Sequence, residues 1–208
     1  PGSEQSATVW SALRGAELVP NVRIQGAISD DALRHVQERL SHVPSAAIEL
    51  TNRLGARSTL FTGALTDVYG YRSLRGKHPR GWPVGATWDQ VPGAGSEKGA
   101  AVNPEREERG MGHGSTSLSL HEFGHVVDHA IAAPSWRVAS ESPGFQAAWK
   151  QMRDRTAPTA YLRDHPEEWF AESFARYTKS PQDAAALARW YPGTYAWLRR
   201  NVGVQSFH

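Results

Sequence analysis

Hydrophobic and polar positions change rhythm near the middle of the chain. Apolar residues at Leu33, Val36, Leu40 and Val43 fall at the spacing of a helix with one buried face. Ser29-Asp30-Asp31 supplies a side-chain acceptor and early acids for its start, and Pro44 breaks the run. A second helix is expected from Ser45 to Leu54, closed by Gly55. NVRI (Asn21 to Ile24) and RSTLFTG (Arg57 to Gly63) read as strands, while the rest of residues 1–28 is ambiguous. From Gly63 to Gly114 glycine and proline are frequent, and β-prone pieces such as ALTDVYGY and GAAVN are short. That texture predicts a small, irregular sheet with long loops. From Ser117 onward the pattern is helical, with helices expected near 118–132, 143–155, 166–179, 181–190 and 192–201. Pro143, Pro166, Pro181 and Pro192 each stand where a first helical turn begins.

The fold class that follows is α+β. Residues 1–115 form a mixed part with N-terminal helices and a small sheet, and 116–208 a helical part, within one domain. With 39% hydrophobic and 10% aromatic residues in 208, a packed core is feasible. The 23 Lys and Arg are spread along the chain and nearly matched by 21 acids, which argues against a nucleic-acid partner. There is no cysteine, so disulfides and thiolate chemistry are excluded and any metal must use His, Asp or Glu. No apolar run approaches the ~20 residues of a membrane helix. No signal peptide is visible; the opening PGSEQSA resembles a tag remnant, which leaves a removed leader open.

HEFGHVVDH, from His121 to His129, sits at the junction of the two parts. Its first five residues fit H-E-x-x-H. On a helix, positions four apart are ~400° around and ~6 Å along the axis, so His121 and His125 project from one face and can share an ion. Glu122 then lies beside that ion, where a base can take a proton from water. A catalytic zinc usually takes three protein ligands. The pattern H-E-x-x-H-x-x-G-x-x-H would supply a third histidine, but Asp128 and Ile131 occupy its last two defining positions, and His129 is at the wrong offset. The other source is a glutamate from a later helix. PEEWFAESFARY (Pro166 to Tyr177) offers Glu168 and Glu172, stacked one turn apart. Glu168, nearer the helix start, is the better direct ligand. Glu172, one turn deeper, suits holding a ligating histidine by its other ring nitrogen. Alone, the first motif also fits a solvated helix face, and Glu172 also fits a simple pair with Arg176. Two such motifs on two helices favour the metal.

HEFGHVVDH together with YLRDHPEEWFAESFARY (Tyr161 to Tyr177) resembles the lethal-factor-like zinc peptidases, and within them the secreted bacterial Pro-Pro endopeptidases. GWPVGATWDQVPG (Gly81 to Gly93), GHGSTSLSLHEFGH and YPGTYAWLRRNV support this narrower resemblance, which spans roughly residues 80–202. It implies a zincin-like metallopeptidase domain, with zinc on His121, His125 and Glu168 and Glu122 as general base. Tyr161 matches a tyrosine placed over the oxyanion, and Glu172 an acid behind the ligands. Trp88, Glu167 and His113 match residues at or near the substrate groove. One departure stands out. A lysine can stand two residues before the tryptophan in this group, and here that position is Ala86, so a groove contact to Glu167 is expected to be missing. The segment AGSEKGAA (Ala94 to Ala101) is variable in the group and is expected to flank the substrate.

The expected activity is secreted zinc endopeptidase, acting as a monomer on proline-rich peptides or cell-surface proteins between two prolines. Proline has no N–H and a fixed φ, so such a segment is pre-extended, and an aromatic face such as Trp88 suits its ring. Two alternatives remain open at this point. One is a lethal-factor-like toxin protease of another specificity. The other is a catalytically idle zinc-bearing binding module, against which both Glu122 and Tyr161 argue. Asp128 is read as orienting the metal helix or as a surface ion pair, and His129 as a bystander.

Overall fold

Ser29 begins the first helix as its composition suggests: its hydroxyl accepts the Ala32 N–H, and helix α1 runs Asp30–Ser41. Helix α2, Ser45–Leu54, follows and ends on a left-handed Gly55. These and the elements below belong to a computed structural model that describes residues 22–108, 110–132, 135–156, 159–205 and 207. Strands β1 (Val22–Gln25) and β2 (Ser58–Phe61) flank the two helices. β3 (Gly93–Ser96) and β4 (Gly99–Val102) form a hairpin. The sheet order is β1-β2-β4-β3, with β1, β2 and β4 parallel and β3 antiparallel at the edge.

The second half is helical. α3 is Leu118–Ala130, α4 Pro143–Thr156, α5 Ala160–Asp164, α6 Pro166–Lys179, α7 Pro181–Trp190 and α8 Pro192–Asn201. All four prolines open their helices, where the missing N–H costs no bond. α+β is thus the observed class, with α3 at the junction. One expectation is corrected, and one helix is added. ALTDVYGY forms no strand; Leu65–Asp67 is a single 3-10 turn, with Leu65 and Thr66 buried. The short helix α5, unpredicted, precedes Pro166.

One apolar core joins both halves. Leu33, Val36 and Leu60 from the first half meet Leu120, Phe123, Phe170 and Phe174 from the second. A smaller cluster of Phe61, Leu65, Val68, Val91 and Ala101 lies on the other face of β2, with Trp88 and Trp82 packed against it. α3 and α6 cross at Gly124. A Cβ there would stand 3.0 Å from the Ala171 Cα, so only glycine lets the two helices approach this closely without displacement. That crossing carries the two histidines and Glu168 toward one another. Among the described residues, no helix is long and apolar enough to cross a membrane.

Candidate metal centre

The start of α3 is pinned before its histidines are reached. Ser117 caps it, accepting the Leu120 N–H. The buried Glu107 carboxylate accepts the Ser119 N–H at 2.9 Å and the Ser119 hydroxyl at 2.8 Å, and also takes the Ser117 hydroxyl. An acid at a helix N-terminus is favourably placed against the helix dipole. Further along, Asp128 accepts the N–H and the hydroxyl of Ser140, both at 2.6 Å. It is 1% exposed, so it is an internal anchor of α3 and not a surface ion pair. Burial pushes its carboxyl up to about 6, against the two bonds from Ser140. His129 lies 4.0 Å from Glu97, outside the cluster that follows.

Donor atoms of His121, His125 and Glu168 all lie within 4.8 Å of one another. Glu168 divides its two oxygens. Oε2 stands 3.3 Å from His121 Nε2 and 3.7 Å from His125 Nε2, while Oε1 accepts the Tyr161 hydroxyl at 2.9 Å. Burial raises the Glu168 carboxyl, but the two histidines outweigh it and hold it far below the usual range. The other ring nitrogen of His121, Nδ1, is buried without a hydrogen bond and lies 3.7 Å from Glu172 Oε2. Glu172 is itself fixed by Arg176 Nε at 2.9 Å, Ser115 Oγ at 2.8 Å and the Thr116 N–H at 3.3 Å. Burial acts against its ionisation, yet His121, Arg176 and Ser115 bring it down to about 2.

This donor set fits zinc. Two imidazoles and a carboxylate are an established N/O set for a catalytic ion, leaving a position for water. A carboxylate behind one ligating ring is the usual outer partner. The chain's other candidates fall into place around it. Glu122 is buried on α3 between the two histidines in sequence; burial raises its carboxyl, opposed by the charges of His121 and His125. Tyr161 projects from α5, and burial together with the Glu168 charge lifts its phenol to about 12. Glu167, in the first turn of α6, accepts from Arg80 Nη2 at 2.9 Å. Glu167 therefore has a cationic partner, supplied by Arg80 and not by position 86. Trp88 opens a 3-10 turn, with its N–H on the Lys77 carbonyl at 2.9 Å and its side chain half-buried on the smaller apolar cluster. His113 directs Nε2 to the Arg106 carbonyl at 2.7 Å; it lies within the electrostatic reach of His121 and Glu172.

Sequence reasoning missed the edge strand β3. A Cβ on Gly95 would stand 2.2 Å from the Glu122 carbonyl oxygen and 2.7 Å from the His125 Cβ. The strand therefore lies directly on α3, against the segment that bears Glu122 and His125. Glycine at that position is the only signal, and by itself it reads as loop.

Two histidines and a glutamate able to hold a metal ion thus converge at one place in a mixed α+β fold. The chain belongs to the family described as anthrax toxin lethal factor, N- and C-terminal domain, which matches residues 13–201. A Pro-Pro endopeptidase of Clostridioides difficile (strain 630) is 32% identical over 162 residues, covering 77% of this chain and 71% of the relative. A Pro-Pro endopeptidase of Paenibacillus alvei is 30% identical over 166 residues, covering 79% and 75% respectively. The solved structure of the Pro-Pro endopeptidase PPEP-2 from Paenibacillus alvei superposes with a TM-score of 0.77 at 29% identity. It covers 86% of this chain and 96% of that one. The zincin-like α+β fold expected from the resemblance is borne out.

Proposed function

We propose that the protein is a zinc metalloendopeptidase that hydrolyses the bond between two prolines in proline-rich protein segments outside the cell. The observation that carries the chemistry is the convergence of His121, His125 and Glu168, with Glu122 and Tyr161 beside them. The Pro-Pro preference is supported by the two relatives of that name. The whole chain is taken to act as one catalytic domain, in keeping with a core that joins residues from Ile28 to Val202.

A zinc ion held by His121, His125 and Glu168 would supply Lewis acidity, polarising the scissile carbonyl and acidifying a water. Glu122 accepts a proton from the attacking water and delivers it to the prolyl nitrogen as the C–N bond breaks. Its burial-raised carboxyl suits both halves of that task. Tyr161 stays protonated at neutral pH, so its O–H can donate to the oxyanion that develops on the carbonyl. Without substrate that O–H is given to Glu168 Oε1, and the oxyanion would compete for it. The Glu172 carboxylate faces the Nδ1 side of His121 across 3.7 Å, and its charge favours the ring orientation that presents Nε2. The half-buried Trp88 is taken to meet a proline ring, and Glu167 and His113 are assigned to the substrate side of the site.

A peptide-library digest read by mass spectrometry, with and without a chelator, tests this. Chelator-sensitive cleavage between prolines is expected. Cleavage at other bonds would overturn the specificity, and chelator-resistant cleavage would overturn the zinc.

A further inference from the structure

Arg80 occupies an unusual place for a half-exposed arginine. It lies in the irregular segment leading to Trp88, yet its guanidinium reaches groups from two different helices. Nη2 is 2.9 Å from Glu167 Oε1 and 3.7 Å from Glu168 Oε1, both on α6. Its central carbon lies 5.9 Å from the centre of the Tyr161 ring on α5. The next residue, Gly81, has φ +78, and a Cβ there would stand 2.8 Å from Tyr161 Cε2. The backbone of this segment is therefore laid against the ring itself. His165 also packs on the ring, at 4.7 Å between centroids.

We infer that Arg80 and Gly81 form a clamp that positions Tyr161 for oxyanion stabilisation. This rests on the proposed role of Tyr161. Three constraints act on one phenol. Gly81 limits its lateral movement, Arg80 draws the ring toward Glu167 and Glu168, and Glu168 Oε1 holds the hydroxyl. α5 has only five residues and cannot hold a side chain rigidly by its own hydrogen bonds. The clamp supplies what that short helix lacks. Through Glu167 it also ties this segment to the first turn of α6, while the Trp88 N–H closes the segment on itself at the Lys77 carbonyl. A planar guanidinium suits this better than an ammonium, because it can stack on a ring and bond a carboxylate at once. Arg80 is a positioning residue, since it acts through Tyr161.

The test is a double-mutant cycle on a Pro-Pro peptide, using zinc-loaded protein. Arg80→Ala should lower kcat about tenfold, as a misplaced catalytic group does, with KM changed less than about threefold. Tyr161→Phe should lower kcat by about 10²-fold or more. In the Tyr161→Phe background, Arg80→Ala should then change kcat less than about twofold, because the group it positions is gone. Arg80→Lys should recover only part of the loss. Zinc content and melting temperature should stay at the parent's values in all four proteins. Gly81→Ala provides a second route: it should slow kcat in the parent and have little effect in Tyr161→Phe. An undiminished Arg80 effect in the Tyr161→Phe background would overturn the clamp, as would a fully active Arg80→Ala. A fully active Tyr161→Phe would instead remove the oxyanion role itself, and the clamp with it.

Discussion

Replacing Glu172 with glutamine isolates what a buried acid does behind a metal ligand. The side chain is 2% exposed, and its oxygens meet Arg176 Nε, Ser115 Oγ, the Thr116 N–H and, at 3.7 Å, His121 Nδ1. Glutamine keeps the volume and one acceptor oxygen but loses the charge. If its oxygen stays with Ser115 and Thr116, its NH2 faces the Arg176 donor. If it turns round, the NH2 faces the Thr116 N–H and His121. One charge-assisted bond is lost either way, at about 1.5–3 kcal/mol. Removing an outer partner of a ligating histidine typically costs about 10–100-fold in metal affinity, or roughly 1.4–2.7 kcal/mol. Urea denaturation of metal-free protein should report the first loss, and competition with a chromogenic zinc chelator the second. A Glu172→Gln protein with zinc affinity within about twofold of the parent would refute the reasoning, whatever its stability.

Three further outcomes follow from the same packing. Asp128 has its carboxyl raised by burial to about 6, above the ordinary 3.8, so its contribution to stability is present below pH ~4 and lost as pH rises through about 6. Asp128→Asn should therefore gain stability relative to the parent between pH 4 and 7, by up to roughly 3 kcal/mol, and parallel urea-stability profiles for the two proteins would contradict this. Gly95→Ala should lift β3 from α3, because its Cβ would overlap the Glu122 carbonyl. A destabilisation of about 1–3 kcal/mol is expected, and an unchanged melting temperature would count against the contact. Glu122→Ala should keep zinc and lose at least ~10²-fold in turnover, measured by metal analysis beside a peptide assay; near-parental turnover would remove its role as base.

Much of this was legible in the chain because the informative signals are local. The proline at the first turn of four helices set their starts to the residue, and Ser29 and Gly55 marked ends by side-chain capping and a left-handed turn. The i, i+4 histidines and the Pro166 start of α6 likewise carried the three donors, because helix geometry translates spacing into direction. What was hidden depends on distant segments. β3 reads as GAGS, which has no strand propensity and exists because α3 packs on it. α5 is too short to show a period, so Tyr161 could be placed only by its offset from Glu168. Arg80 reaches Glu167 across 87 positions from a segment without regular structure, and no local pattern announces such a contact. Asp128 is ambiguous in sequence, since only Ser140, supplied by a later turn, makes it an internal anchor.

The central claim is that His121, His125 and Glu168 hold one zinc ion on which Glu122 depends for hydrolysis. Metal-free protein titrated with zinc, with bound metal and cleavage of a Pro-Pro peptide followed together, tests it most directly. Cleavage should rise from baseline and level off at one zinc per chain. Full cleavage by the metal-free protein would contradict the claim.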